Sequence, residues 1–176
     1  MGHQPRDGQD RLRYHGVQPH CRSLPDKPIA QRQAQEPQAI DAAKQAVGVP
    51  VLKPNEAMVE EALAAGSDLA LLATFEPSIP SLKKEFEDLA SSRGIKLRLK
   101  TRTVPAAIAA LQKGRAFEHD QLIAAAAAEM GPCDALVLGQ FSMARAATGI
   151  PAKPGRKVLT SPHSAVTRLK QIFEYR

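Results

Sequence analysis

Leu136-Val137-Leu138-Gly139-Gln140-Phe141-Ser142-Met143-Ala144-Arg145 is an apolar run of strand length that empties into a polar turn and then into helix-forming sequence. In an open α/β sheet, ligands bind outside the carboxyl ends of the strands. That rule delivers Gln140 and Ser142 to the rim where a site would form. Two further strand-to-helix turns are built the same way, Ala73-Thr74-Phe75-Glu76-Pro77-Ser78 and Leu159-Thr160-Ser161-Pro162-His163-Ser164. Three hydroxyl-rich rims converging on one sheet edge point to a small anionic ligand.

Working outward, helical and strand patterns alternate from Gln38 to the C-terminus. Ile40, Ala43 and Val47 fall on one helical face, Gly48 stops that helix, and Val49-Pro50-Val51-Leu52 reads as a short strand. Asn55 is a candidate N-cap for a helix that Gly66 ends. Leu69-Ala70-Leu71-Leu72-Ala73 is continuously apolar, the mark of a strand covered on both faces. Ser78 can cap the next helix, in which Leu82, Phe86, Leu89 and Ala90 repeat at helical spacing before Gly94. Ile95, Leu97 and Leu99 then alternate with Lys96, Arg98 and Lys100, which predicts a strand near a guarded edge. A short helix from Pro105 to Gly114, an Ala-rich one from Arg115 to Met130, strands at Asp134–Leu138 and Lys157–Thr160, and a helix from Pro162 to Phe173 complete the chain. Such alternation predicts an α/β fold with a parallel sheet and right-handed crossovers.

The 176 residues suffice for one domain or two small interlocked lobes. Tryptophan is absent and aromatic residues make up 4%, so the core must be built from Ala, Leu, Val and Ile. The net charge is +6, but no basic stripe interleaves with aromatic residues, which argues against nucleic acid as a partner. No apolar span or secretory signal is visible, which predicts a cytoplasmic protein with no membrane partner. Residues 1–38 hold seven Gln, five Arg, five Pro and three of the five His, without any apolar run that could form a core strand. Disorder is expected there.

Each candidate site residue has a functional and a plain structural reading. Thr74 and Ser78, at the mouth of a strand and the start of a helix, can join backbone N–H groups in holding a carboxylate or phosphate. Equally, they are a turn residue and an N-cap. Ser161 followed by Pro162 is sound helix-start chemistry by itself. His163, in the first helical turn, is either a neutral donor or base, or an exposed histidine without a role. Gly139 lets backbone approach a ligand, and Gln140 then offers a donor and an acceptor but cannot take a proton from carbon. Cys133 precedes its strand and lies about 20 Å from Gln140 at the wrong sheet edge, so it reads as structural. Cys21 sits in the segment expected to be disordered, and the two cysteines lack metal-ligand spacing.

Four stretches together resemble the aspartate/glutamate racemase superfamily, which includes hydantoin racemases, maleate isomerases and arylmalonate decarboxylases. They are Val49 to Ala57, Leu71 to Ser78, Cys133 to Ala144 and Leu159 to Val166, within a resemblance covering about residues 38–176. It implies a parallel-sheet, Rossmann-like α/β chain, the remnant of a two-lobe pseudo-symmetric fold. The second lobe would span about residues 69–149, with first-lobe remnants at 39–66 and 157–176. The resemblance implies a cofactor-independent racemase or isomerase acting on a small carboxylate or amino acid. Asn55, Thr74, Ser78, Gln140, Ser142, Ser161 and His163 are the substrate-binding candidates, and no metal is expected. Family racemases use one cysteine from each lobe; this chain has Gln140 at the second position, and the segment that would carry the first is replaced by residues 1–38. Impaired catalysis and a truncated or frame-shifted reading frame are therefore expected, together with association through exposed apolar surface, a homodimer included. A non-catalytic small-acid binding module and an arylmalonate-decarboxylase-like lyase are the alternatives.

Overall fold

A computed structural model describes residues 39–53 and 55–174. The expectation for residues 1–38 lies outside these. A helix at 39–46 (α1) leads through a loop to α2 (Glu56–Ala65), and β1 (Asp68–Ala73) follows. A 3-10 turn (Glu76–Ser78) opens α3 (Ile79–Ser92), then come β2 (Arg98–Thr103), α4 (Pro105–Gln112) and α5 (Ala116–Glu129). β3 (Ala135–Leu138), a 3-10 segment (Phe141–Gly149), β4 (Lys157–Thr160) and α6 (Ser161–Glu174) complete the order.

The four strands form one sheet in the order β2-β1-β3-β4, every neighbouring pair parallel. The expected α/β class and parallel sheet are what the chain adopts. β1 is buried along Leu69–Ala73, and its side chains alternate between two cores. Leu69 and Leu71 pack with Met58 and Leu63 of α2 and Leu82 and Phe86 of α3. Ala70 and Leu72 pack on the other face with Ala107 of α4, Ile123 and Ala127 of α5, and Met143 and Ala146 of the 3-10 segment. At about 25 cal/mol per Å² of apolar area, these two layers supply the main drive to fold.

The route through the sheet sets up the site. From β1 the chain runs through α3 to β2 on one side, then returns through α4 and α5 to β3 on the other side of β1. Its direction reverses between β1 and β3, the kind of place where open α/β sheets bind ligands.

Several local expectations are corrected. Val49–Leu52 is loop, with Val49 exposed: Pro50 has no N–H to donate, and no described strand lies alongside. The edge strand starts at Arg98, not Ile95, because pairing begins where Arg98 N–H reaches the Ser67 carbonyl. The sequence after Gln140 is 3-10 helix, and its buried residues Met143 and Ala146 recur every three residues, matching three residues per turn. Neither Asn55 nor Ser78 caps a helix with its side chain. Glu56 instead reaches back to Lys53 N–H at 3.0 Å and is gripped by Lys44. No helix among the described residues is long and apolar enough to cross a membrane.

One polar clamp fastens the 3-10 segment to α5. Arg145 donates from Nε and Nη2 to Asp120 Oδ2 at 3.1 and 2.7 Å, and Nη2 also reaches the Ala116 carbonyl. Asp120 Oδ1 lies 2.8 Å from Nδ1 of the fully buried His119. Burial pushes the Asp120 carboxyl up, but the bonds from His119 and Arg145 outweigh it and hold it below its ordinary value. A carboxyl lowered on folding adds stability above its unfolded pKa and loses it as pH falls through the folded value. Asp120→Asn should cost about 1 kcal/mol at pH 7. It should also make the loss of stability between neutral pH and strong acid smaller than in the parent chain, as read by urea unfolding at both pH values.

Candidate functional site

The β1–β3 ladder ends at the Leu72–Leu138 pair, with Gly139 N–H donating to the Leu72 carbonyl at 2.8 Å. Beyond it the chains part, β1 into the Phe75 turn and β3 into Gln140. Thr74 is nevertheless buried, 2% exposed, and its backbone N–H still needs an acceptor. Gln140 Oε1 supplies it at 2.9 Å. The Thr74 hydroxyl stands at the long distance of 3.5 Å from the same oxygen.

The other end of the carboxamide is equally committed. Gln140 Nε2 donates to Ser78 Oγ at 2.8 Å, and Ser78 donates its own hydrogen to the Phe75 carbonyl at 2.6 Å. A backbone N–H can only donate, so the Thr74 bond fixes which way the carboxamide faces, and the Ser78 bonds follow consistently. Thr74, Ser78 and Gln140 thus form one hydrogen-bonded set at the carboxyl ends of β1 and β3, at the opening of the fourteen-residue α3. The positive end of a helix of that length favours negative charge nearby.

The remaining candidates are placed more loosely. Ser161 is buried at the start of α6, one residue beyond Thr160, which stands in register with Leu138; this puts it on the same rim, beside Gly139. Ser142 is exposed in the first turn of the 3-10 segment, and His163 is exposed in the first turn of α6. Asn55 hydrogen-bonds Glu85 of α3. The hydrogen-bonded set therefore draws together three of the seven candidates. The Phe75 carbonyl and the His119–Asp120–Arg145 clamp had no role in the sequence reading. The one available signal was the four-residue spacing of His119 and Ile123 on the buried face of α5.

Cys133 lies before β3 at the opposite, amino edge, and burial pushes its thiol above the ordinary value. It lines a cavity of about 480 Å³ with Asp68, Arg98, Lys153 and Arg156. The cations there are engaged with the protein itself, apart from Arg156 Nε, which is buried without a hydrogen-bond partner. Arg156 donates to the Ala127 carbonyl and Lys153 to the Ala128 and Met130 carbonyls, closing the C-terminal end of α5. Among the described residues no thiol stands at the carboxyl edge.

Gly139 lets the chain pass close against β1 and α3. A Cβ there would stand 2.9 Å from Leu82 Cδ1, 3.2 Å from Leu71 Cδ1 and 3.3 Å from the Leu72 carbonyl oxygen. Both leucines are buried, so making room means repacking them, and the Leu72 oxygen is backbone. Gly139→Ala should lose about 1–3 kcal/mol in denaturant unfolding, the range expected for overpacking. It should also shift the Thr74 amide resonance, because the turn carrying Gln140 must move.

No curated protein matches the chain. A family model described as Asp/Glu/hydantoin racemase matches residues 34–169, most of its length. By that match over most of its length, and with the parallel α/β sheet it adopts, the chain belongs to the Asp/Glu/hydantoin racemase family.

Proposed function

We propose that the crevice between β1 and β3 binds a small carboxylate, such as an amino acid, and that in this chain binding is not accompanied by thiol-based proton transfer. Family membership supports a racemase- or isomerase-like function on a small carboxylate substrate. The observation that carries the assignment to this crevice is the Gln140 carboxamide, held between Thr74 N–H and Ser78 Oγ. A carboxylate has the same planar, three-atom shape, and Thr74 N–H can donate to it unchanged. Ser78 becomes a second donor by turning its hydrogen from the Phe75 carbonyl to the ligand. Ser142, Ser161 and His163 stand on the same rim for the remainder of the substrate, and Asn55 is the outlying candidate.

Racemisation at carbon needs a base that takes the proton and an acid that returns it. Gln140 can do neither, and the described thiol is at the far edge. That observation favours the binding-module reading over the lyase, which also needs a usable thiol. The reading takes the protein as cytoplasmic, free of pyridoxal phosphate, and able to pair with a second copy.

The test is Cα proton–deuterium exchange on aspartate, glutamate and hydantoins in D₂O, with arylmalonate decarboxylation followed in parallel and binding read from the Thr74 amide resonance. The expected result is a saturable shift of Thr74 by carboxylates with exchange and decarboxylation at background. Turnover would show a working base and overturn the claim of impairment. A Thr74 resonance that no carboxylate moves would overturn the site.

A further inference from the structure

Gln140 is one of the residues that would touch a bound carboxylate, yet its side chain already fills the place such a group would take. Its Oε1 occupies the acceptor position opposite Thr74 N–H, and its Nε2 occupies the position facing Ser78 Oγ. The two donor-bearing groups of the crevice are therefore both spoken for by the protein itself. Gln140 is half-buried and its backbone is extended, with φ −128 and ψ 149.

We infer that Gln140 is the affinity- and specificity-determining residue of this crevice: its carboxamide is an internal stand-in for the ligand's carboxylate, and an external carboxylate binds only by displacing it. This rests on the reading of the crevice as a carboxylate site.

The physical basis is competition. A group tethered by a short side chain presents itself at an effective concentration in the millimolar range or above. The apparent affinity of an outside ligand is reduced by the fraction of molecules in which the crevice is open. The exchange leaves no buried donor unsatisfied, since the incoming oxygen replaces Oε1 on Thr74 N–H. What an anion gains over the neutral carboxamide is charge, near the start of α3. What it gives up is the Ser78–Phe75 bond, because Ser78 must now donate to the ligand. A ligand therefore has to be anionic, with a carboxylate slim enough to enter the space one carboxamide fills.

The experiment titrates acetate, malonate and L- and D-aspartate into ¹⁵N-labelled full chain and follows the Thr74 amide in the parent, Gln140→Ala and Gln140→Glu proteins. Removing the stand-in should tighten the best carboxylate by about tenfold or more. Gln140→Glu, which carries its own carboxylate into the crevice, should abolish binding at pH 7. Should Gln140→Ala fail to give a folded spectrum, the parent alone decides: at saturating carboxylate the Gln140 side-chain NH₂ signals should move to the position of a free amide as Thr74 shifts. Affinity unchanged or weakened in Gln140→Ala overturns the inference while leaving the carboxylate site standing, as does a Thr74 shift without movement of the Gln140 side chain. A Thr74 resonance unmoved in every folded protein removes the carboxylate reading itself, and this inference with it.

Discussion

A buried backbone N–H must find an acceptor, and the one on Thr74 lies just past the point where the β1–β3 ladder runs out. Leaving it bare would cost about 1–3 kcal/mol. The Gln140 carboxamide meets that requirement, and in doing so ties the segment that runs from β1 into α3 to the turn after β3. Fold and site share this single bond. On the proposed carboxylate reading, a ligand would take over the same donor, so protein and ligand would compete for one hydrogen bond.

The parts of the fold legible in the sequence were those set by burial on two faces. Leu69–Ala73 and Ala135–Leu138 are apolar at every position, and nothing but the centre of a parallel sheet accommodates two such runs. β4 and the helices α3, α4 and α5 were equally plain. Where the reading slipped, a tertiary partner decided the outcome. Ile95, Leu97 and Leu99 alternate as a strand should, but only Arg98 onward has a paired neighbour in β1. Val49–Leu52 has strand composition and no partner among the described residues. Asn55 and Ser78 are good caps by type, yet each side chain is drawn away, to Glu85 and to Gln140 with the Phe75 carbonyl.

The site was half legible. Strand-to-helix turns placed Thr74, Ser78 and Gln140 on one edge, because each follows an apolar strand in a parallel sheet. Nothing in the local sequence states that β1 and β3, separated by more than sixty residues, are neighbours while β2 lies outside them. Strand order follows from how α3, α4 and α5 divide between two faces, and that depends on the packing of both cores. Separation along the chain likewise hid the clamp between α5 and the 3-10 segment, whose partners Asp120 and Arg145 are twenty-five residues apart.

The two edges of the sheet differ in a way that composition conceals. A net charge of +6 suggests an anion-binding surface, and the amino edge does collect Arg98, Lys100, Lys153 and Arg156. Those cations are consumed locally: Arg98 and Lys100 pair with Asp68, while Lys153 and Arg156 stopper the negative end of α5. At the carboxyl edge, among the described residues, no cation is hydrogen-bonded to the Thr74–Ser78–Gln140 set, whose donors are a backbone N–H and a hydroxyl at a helix start. The Thr74 N–H and the Ser78 hydroxyl are satisfied by a neutral carboxamide and a backbone carbonyl. Glu76 and His163 stand exposed in first turns at the same edge, and neither is hydrogen-bonded to the crevice set. On the proposed carboxylate reading, a proton on a ligand carbon would meet no poised acceptor within that set, because the Gln140 carboxamide satisfies the Thr74 donor without supplying a base.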